Sequence, residues 1–266
     1  MAEIRGGVAD GSAGDADYGV IGGGYSDYRQ PDPRIARVLA DALGGARSVL
    51  NVGAGAGSYE PADAEVVAVE PSATMRAQRP AHLAPAIDAS AEQLPFDDDR
   101  FDASMTTFSV HQWSDAAAGL REMRRVTRGP VVVMTCDPAL VRDFWLYAYA
   151  PLVLDTEARR YPAVEAITAA LGGRCTVTPV PIPADCTDGF NEAYYARPER
   201  LLDPGARQAC SAWSFVPPEL AARYTGDLRA AIGSGAWDAQ YGALRHQPYL
   251  DGSLVLIRSV PEHGTP

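Results

Sequence analysis

Three glycines two residues apart, Gly53, Gly55 and Gly57, follow an apolar run in the stretch SVLNVGAGAGSYE. A loop without side chains lets a nucleotide-derived cofactor approach the peptide itself. A dinucleotide loop reads G-x-G-x-x-G, and its third glycine lets strand and helix pack closely. Here that third place is Ser58, and the spacing is G-x-G-x-G. Such a loop permits close approach of an uncharged thioether or a sulfonium linker. The next apolar run, EVVAVE, ends on Glu70. A carboxylate at the tip of the neighbouring strand can accept hydrogen bonds from both hydroxyls of a ribose.

A proton acceptor is the second kind of chemistry on offer. His111, in SVHQW, follows a further apolar run, and an unperturbed imidazole titrates near about 6.5. It could take the proton of a hydroxyl, an acidic carbon or an ammonium. Asp137, just past the run PVVVMT, is a second candidate base, unless it caps the following helix. Asp185 reads as a turn residue. His82, His246 and His263 have no patterned partners, so no metal site is expected.

The elements that must hold these residues alternate. PDPRIARVLADALGG predicts a helix: Pro33 near its start, Ile35, Val38, Leu39 and Leu43 at helical spacing, and Gly44 and Gly45 as a stop. SVLNV and EVVAVE (65–70) read as parallel strands buried on both faces, because they show no polar alternation. Segments 84–90, 101–110 and 130–135 read as three more strands. SATMRAQRP and AAAGLREMRRVT supply helices between them. The pattern implies an α/β fold, a doubly wound, Rossmann-like parallel sheet.

Beyond Asp137, residues 138–174 carry Trp, Tyr and Leu at helical spacing, and 174–183 and 251–259 read as the last strands. The aromatic-rich segment between those strands reads as a helical insertion capping the carboxyl edge of the sheet, where open α/β folds bind ligands. The expected organisation is a flexible leader over 1–17, a cofactor-binding core over 18–137 and a capping part over 138–266.

Composition narrows the partners. The chain has 266 residues, 47% hydrophobic and 21% charged, enough for a sizeable core. A formal net charge of −11 repels phosphate backbones and anionic lipid, against nucleic acid or a bilayer as partner. All 23 basic residues are arginine, a bias that suggests GC-rich bacterial coding. Four cysteines without C-x-x-C spacing fit free thiols in a reducing cytoplasm, and no signal peptide or membrane-length apolar run is present in the sequence. A monomer or homodimer is expected.

Four segments in order, VLNVGAGAGSYE, VVAVEPSATM, ASAEQLPFDDDRFDASMTTFSVHQW and GLREMRRVTRGPVVVMT, resemble the class I S-adenosylmethionine-dependent methyltransferases. The likeness is closest to the small-molecule branch with the ubiquinone/menaquinone-type and type 11 enzymes, and covers about 25–136. It implies a seven-stranded sheet, S-adenosyl-L-methionine as cofactor and S-adenosyl-L-homocysteine as product. By the same resemblance, Gly53, Ala54 and Gly55 back the methionine moiety, Glu70 binds the ribose diol, and Pro71 and Met75 flank adenine. Ser90 and Ala91 edge the base, and Thr107 and Phe108 lie under the methionine part. YRQPDP is similar to an opening segment of the family whose arginine pairs with the cofactor carboxylate, making Tyr28 and Arg29 candidates. Two positions depart from the family: Asn51 stands where an acid is usual, and Ser90 where aspartate is usual. Asn51 keeps an acceptor oxygen but loses the charge that attracts the cofactor's ammonium; Glu60 or a water could compensate.

The implied activity is methyl transfer to an O, N or C atom of a small-molecule metabolite, in bacterial secondary metabolism. His111, Trp113, Trp145 and Tyr194 are the candidate acceptor-lining residues. Three alternatives remain: a non-methylating enzyme, such as a cyclase, on the same scaffold; a dinucleotide-dependent oxidoreductase; and a non-catalytic binding protein.

Overall fold

The computed structural model describes residues 25–262. The leader expected over 1–17, and His263, lie outside the described residues.

A short turn of helix, α1 (Tyr25–Tyr28), precedes α2 (Pro33–Leu43). The start of α2 is set by Asp32, whose carboxylate accepts the Arg34 N–H at 2.9 Å, and by Pro33 in the first turn. It ends at Gly44, which takes the left-handed conformation at φ 69°. Ile35, Leu39, Ala42 and Leu43 form its buried stripe, which packs on the sheet built from β1 (Ser48–Val52), β2 (Glu65–Val69), β3 (Ala103–Thr107) and β4 (Val131–Cys136). These four strands run parallel, joined by α3 (Ala73–Ala77) and α4 (Ala116–Arg125). After α5 (Pro151–Arg160) and α6 (Val164–Leu171) come β5 (Arg174–Pro179) and β6 (Ile182–Pro183). The insertion holds α7 (Pro204–Gln208), α8 (Pro218–Ser234) and α9 (Ala236–Tyr241), and the chain closes with β7 (Tyr249–Leu250) and β8 (Leu254–Val260).

The main sheet has six strands in the order β2-β1-β3-β4-β8-β5, with β8 antiparallel to both neighbours. Both faces are covered, which accounts for the lack of alternation in the sequence. Val132 and Met134 of β4 point into the cluster with α2, and Val131 and Val133 into the one holding Leu120, Met123, Ile167 and Leu171 of α4 and α6.

Three expectations are corrected. The seventh strand, over 84–90, is reduced to a single parallel bridge between Ile87 and Val69. Ile87 exchanges two backbone bonds with β2, but Pro85 has no N–H to extend the ladder on this exposed edge. The strand expected over 101–110 stops at Thr107, because Phe108 takes a left-handed φ of 51° and breaks the extended run. The segment 174–183 splits around Pro181: β5 stays in the main sheet, and β6 pairs with β7 in a separate two-stranded ribbon.

Register locates the insertion. Pro179 at the end of β5 pairs with Val255, and Cys136 at the end of β4 pairs with Leu254. The chain therefore leaves β5 and re-enters β8 at the carboxyl edge of the parallel strands, and everything in between is anchored there. Most of its aromatic residues form core. Trp145 donates to the Tyr195 carbonyl at 3.0 Å and meets Trp237 edge-on, ring centroids 5.3 Å apart.

Candidate cofactor and acceptor site

The turn after β1 is fixed by close approach. Gly53 has φ 65°, and a Cβ on it would meet the Ser109 hydroxyl oxygen at 1.8 Å, so only glycine fits. Gly55, at φ 52°, turns its N–H toward β2 and donates to Glu70 Oε2 at 2.8 Å, while Ser72 N donates to Glu70 Oε1 at 2.8 Å. Two backbone donors thus hold the carboxylate at the tip of β2. Burial pushes its pKa up, and the two N–H groups pull the other way.

Around this turn lies a cavity of about 490 Å³, within the usual range for small-molecule sites. Arg29, Gly53, Ala54, Gly55, Glu70, Pro71, Met75, Ser90, Ala91, Thr107 and Phe108 all line it, so 11 residues singled out for the cofactor share one wall. Trp113 lines it as well, held by its indole N–H on Ser109 Oγ at 3.0 Å. Ser58, Tyr59, Glu92, Ser109, Gln112 and Asp188 are among the others that line it; none of these was singled out from the sequence as a site residue. Asp188 in particular sits in DCTDGF, whose local pattern reads as a turn, and folding brings it to Arg29 across 159 positions.

Phe108 and Arg29 also bound a second, smaller chamber of about 30 Å³, together with His111, Glu157, Arg160, Tyr161 and Asn191. On the measure by which a water needs roughly 10–15 Å³, it has room for a group of about two heavy atoms. The guanidinium of Arg29 lies 4.9 Å over the Phe108 ring, and Phe108 meets Phe190 of the insertion at 5.2 Å. His111 is 6% exposed, its ring 4.6 Å from that of Tyr161, and its Nδ1 has no hydrogen-bond partner. Burial, then the charges of Arg160 and Arg29, hold its pKa well below the ordinary histidine value, so the imidazole is neutral. Glu157 Oε2 accepts from Asn191 at 2.8 Å, and burial raises its pKa. Arg160 donates to Ser211 Oγ at 2.9 Å and to Gln112 Oε1 at 2.7 Å.

The other candidates lie elsewhere. Tyr28 turns away from both cavities and donates to Asp203 at 3.0 Å. Asn51, 1% exposed, does not reach the cavity; its amide donates to Glu60 at 3.0 Å. Glu60 is itself held by Arg79 in two bonds of 3.0 Å and is absent from the cavity wall, so it does not replace the charge missing at Asn51. Asp137 accepts the Ala139 N–H at 2.9 Å, closing a turn. Trp145 and Tyr194 are buried in the core of the capping part and line neither cavity.

No group of His, Cys, Asp or Glu among the described residues is arranged to hold a metal, and no helix among them is long and apolar enough to cross a membrane.

Comparison with known proteins agrees with this geometry. Residues 50–133 match a family described as "Methyltransferase domain". A demethylmenaquinone methyltransferase of Mycolicibacterium paratuberculosis is 34% identical over 108 residues, 39% of this chain and 47% of its own. The uncharacterised protein YafE of Escherichia coli K12 is 38% identical over 82 residues, 29% of this chain and 40% of its own. The chain thus spans less than half the length of the curated relatives it matches. Likeness to a solved structure is more extensive: a protein described as a methyltransferase of an antibiotic biosynthesis pathway from Anabaena variabilis shares 28% identity, with a TM-score of 0.81 over 87% of this chain and 98% of that one. The YcgJ protein of Bacillus subtilis, 18% identical with a TM-score of 0.52 over 87% of this chain and 100% of its own, shares the fold. The Mycolicibacterium and Anabaena proteins are described as methyltransferases, so the cyclase alternative is not favoured. With its glycine turn, its acid at the tip of β2 and a methyltransferase-domain match over residues 50–133, the core of the chain is similar to the class I S-adenosylmethionine-dependent methyltransferases.

Proposed function

We propose that this chain transfers the methyl group of S-adenosylmethionine to a small-molecule acceptor whose reacting group reaches the chamber behind Phe108. The observation that carries this reading is Glu70, held at the tip of β2 by two backbone N–H groups on the wall of a cavity large enough for a nucleoside with its amino-acid tail. The fit extends along that wall. Glu70 receives the ribose diol, Pro71 and Met75 flank the adenine, and Ser90 and Ala91 meet its edge. The bare backbone of Gly53 and Gly55 faces the thioether chain, and Arg29 meets the terminal carboxylate. When bound, the cofactor supplies an electrophilic methyl on a sulfonium.

This leaves alignment, exclusion of water and proton removal to the protein. Phe108 and Arg29 stand between the two cavities, so an acceptor group in the chamber faces the methionine end of the larger one. His111 Nδ1, neutral and without an internal partner, accepts the acceptor's proton as its lone pair engages the methyl carbon. Residues 18–137 act as the cofactor core, and 138–266 build the acceptor chamber through Glu157, Arg160 and Asn191. The Anabaena protein's assignment to antibiotic biosynthesis supports an acceptor from bacterial secondary metabolism.

Incubation with methyl-labelled S-adenosylmethionine and a bacterial small-molecule extract tests the reading. Label is expected in the extractable organic fraction with the wild type and strongly reduced with Glu70→Ala. Failure of label to leave the cofactor, with an acceptor nonetheless changed in structure, would replace the reading with a non-methylating one.

A further inference from the structure

Three carboxylates line the large cavity: Glu70, Glu92 and Asp188. Glu70 sits at the glycine turn. Glu92 lies at the opposite, Ser90–Ala91 end, where it accepts from Ser114 Oγ at 2.9 Å and from the Asp115 N–H at 3.1 Å. Asp188 belongs to the insertion and stands beside Arg29 and Tyr59. It is 2% exposed; its Oδ1 accepts Arg29 Nε at 2.5 Å, and its Oδ2 accepts the Tyr59 hydroxyl at 2.8 Å.

Its position is fixed twice over. Asp188 forms an antiparallel bridge with Arg29, and the Gly189 N–H donates to the Tyr28 carbonyl at 2.9 Å. Tyr59 reaches it from the glycine turn by adopting a left-handed φ of 64°, a conformation a tyrosine takes only when its surroundings impose it. An ionised carboxylate offers about four lone-pair sites, and these two bonds occupy two of them. The cavity wall therefore carries a guanidinium and a carboxylate side by side, the complement of an α-amino acid zwitterion. The two other polar groups near this end cannot serve: Asn51 has no charge and does not line the cavity, and Glu60 is committed to Arg79.

We propose that Asp188, carried by the C-terminal insertion, anchors the α-ammonium of the cofactor's amino-acid tail, in place of the acid absent at position 51. The proposal rests on the cofactor reading above and extends it: the insertion is then part of the cofactor site as well as the acceptor chamber, and cofactor affinity depends on its docking against Arg29.

Calorimetric titration of the full chain tests this without turnover. The ligands are S-adenosylhomocysteine and its desamino analogue, 5′-deoxy-5′-(3-carboxypropylthio)adenosine, which keeps the carboxylate and lacks the amine. The wild type should bind the amine-bearing ligand at least about tenfold more tightly, the scale of one charge-assisted hydrogen bond. Asp188→Asn should weaken it to the level of the analogue and leave the analogue within about twofold of its wild-type affinity. Asp188→Glu, which keeps the charge, should retain part of the discrimination. Equal wild-type affinity for both ligands overturns the proposal. So does equal loss of both in Asp188→Asn, which would make Asp188 a support for Arg29 only. Should Asp188→Asn not fold, loss of all discrimination in a folded Asp188→Glu counts against the proposal, and its retention supports it. If the wild type binds neither ligand, it is the cofactor reading itself that fails.

Discussion

Arg79 and Glu60 face each other as a two-bond fork of 3.0 Å each, with both side chains 3% exposed. The pair ties the segment after α3 to the glycine turn, since Arg79 also donates to the Ala84 carbonyl and Glu60 accepts from Asn51. Removing one partner leaves a buried charge uncompensated. Arg79→Met should therefore cost about 3 kcal/mol of stability in urea unfolding, and Arg79→Met with Glu60→Met should recover most of it. A double variant as unstable as the single one would mean that Arg79 acts through the Ala84 carbonyl alone.

Glu70→Ala removes the acceptor assigned to the ribose diol. Binding of S-adenosylhomocysteine should weaken by about 1.5–3 kcal/mol, the range for hydrogen bonds to a charged acceptor. The fold should survive, because the lost partners are the Gly55 and Ser72 N–H groups at the cavity rim. Unchanged affinity by calorimetry would remove Glu70 from the site.

His111 is held neutral in the folded chain well below its ordinary pKa, by burial first and then by Arg160 and Arg29. Unfolded chains take up a proton near pH 6.5 that the folded chain refuses. Its contribution to stability is therefore complete above about pH 6.5 and erodes below it, by up to about 1.4 kcal/mol per pH unit. His111→Gln should flatten this slope in unfolding measurements between pH 5 and 7, values set by the reference range. A slope unaltered by the substitution would contradict the assigned neutrality.

Glu192 works in the opposite sense. It accepts from Ser253 through both N–H and hydroxyl, yet burial raises its pKa to about 7. The folded chain binds this proton before the unfolded one does. The stabilisation is full below the ordinary glutamate value, about 4.5, and is lost as pH rises through 7. Glu192→Gln should remove that loss, so the variant gains on the wild type as pH rises from 5 to 8 on the reference scale. An advantage that does not change with pH would place the titration elsewhere.

The core of this picture was legible because local rules carry it. Helix α2 shows its stripe in eleven residues with its start and stop signals on either side, and β4 opens on the apolar run Val131–Met134 because both faces of the sheet are buried. The glycine turn and Glu70 could be read because they are adjacent in chain and in space. What stayed hidden depends on contacts no local pattern encodes. Asp188 meets Arg29 across 159 positions, Glu157 and Arg160 turn inward from an ordinary-looking helix, and Phe108 ends its strand through a single left-handed φ. Trp145 and Tyr194 show the converse: aromatic content in a capping segment reads equally as pocket or core, and packing decided for core.

The most direct measurement is a crystal structure of the chain with S-adenosylhomocysteine. The account predicts the ligand across the carboxyl edge of β1 and β2, its ribose hydroxyls on Glu70 and its amino-acid tail between Arg29 and Asp188. Crystals in which the ligand lies elsewhere, or in which Glu70 points away from the sugar, would contradict it.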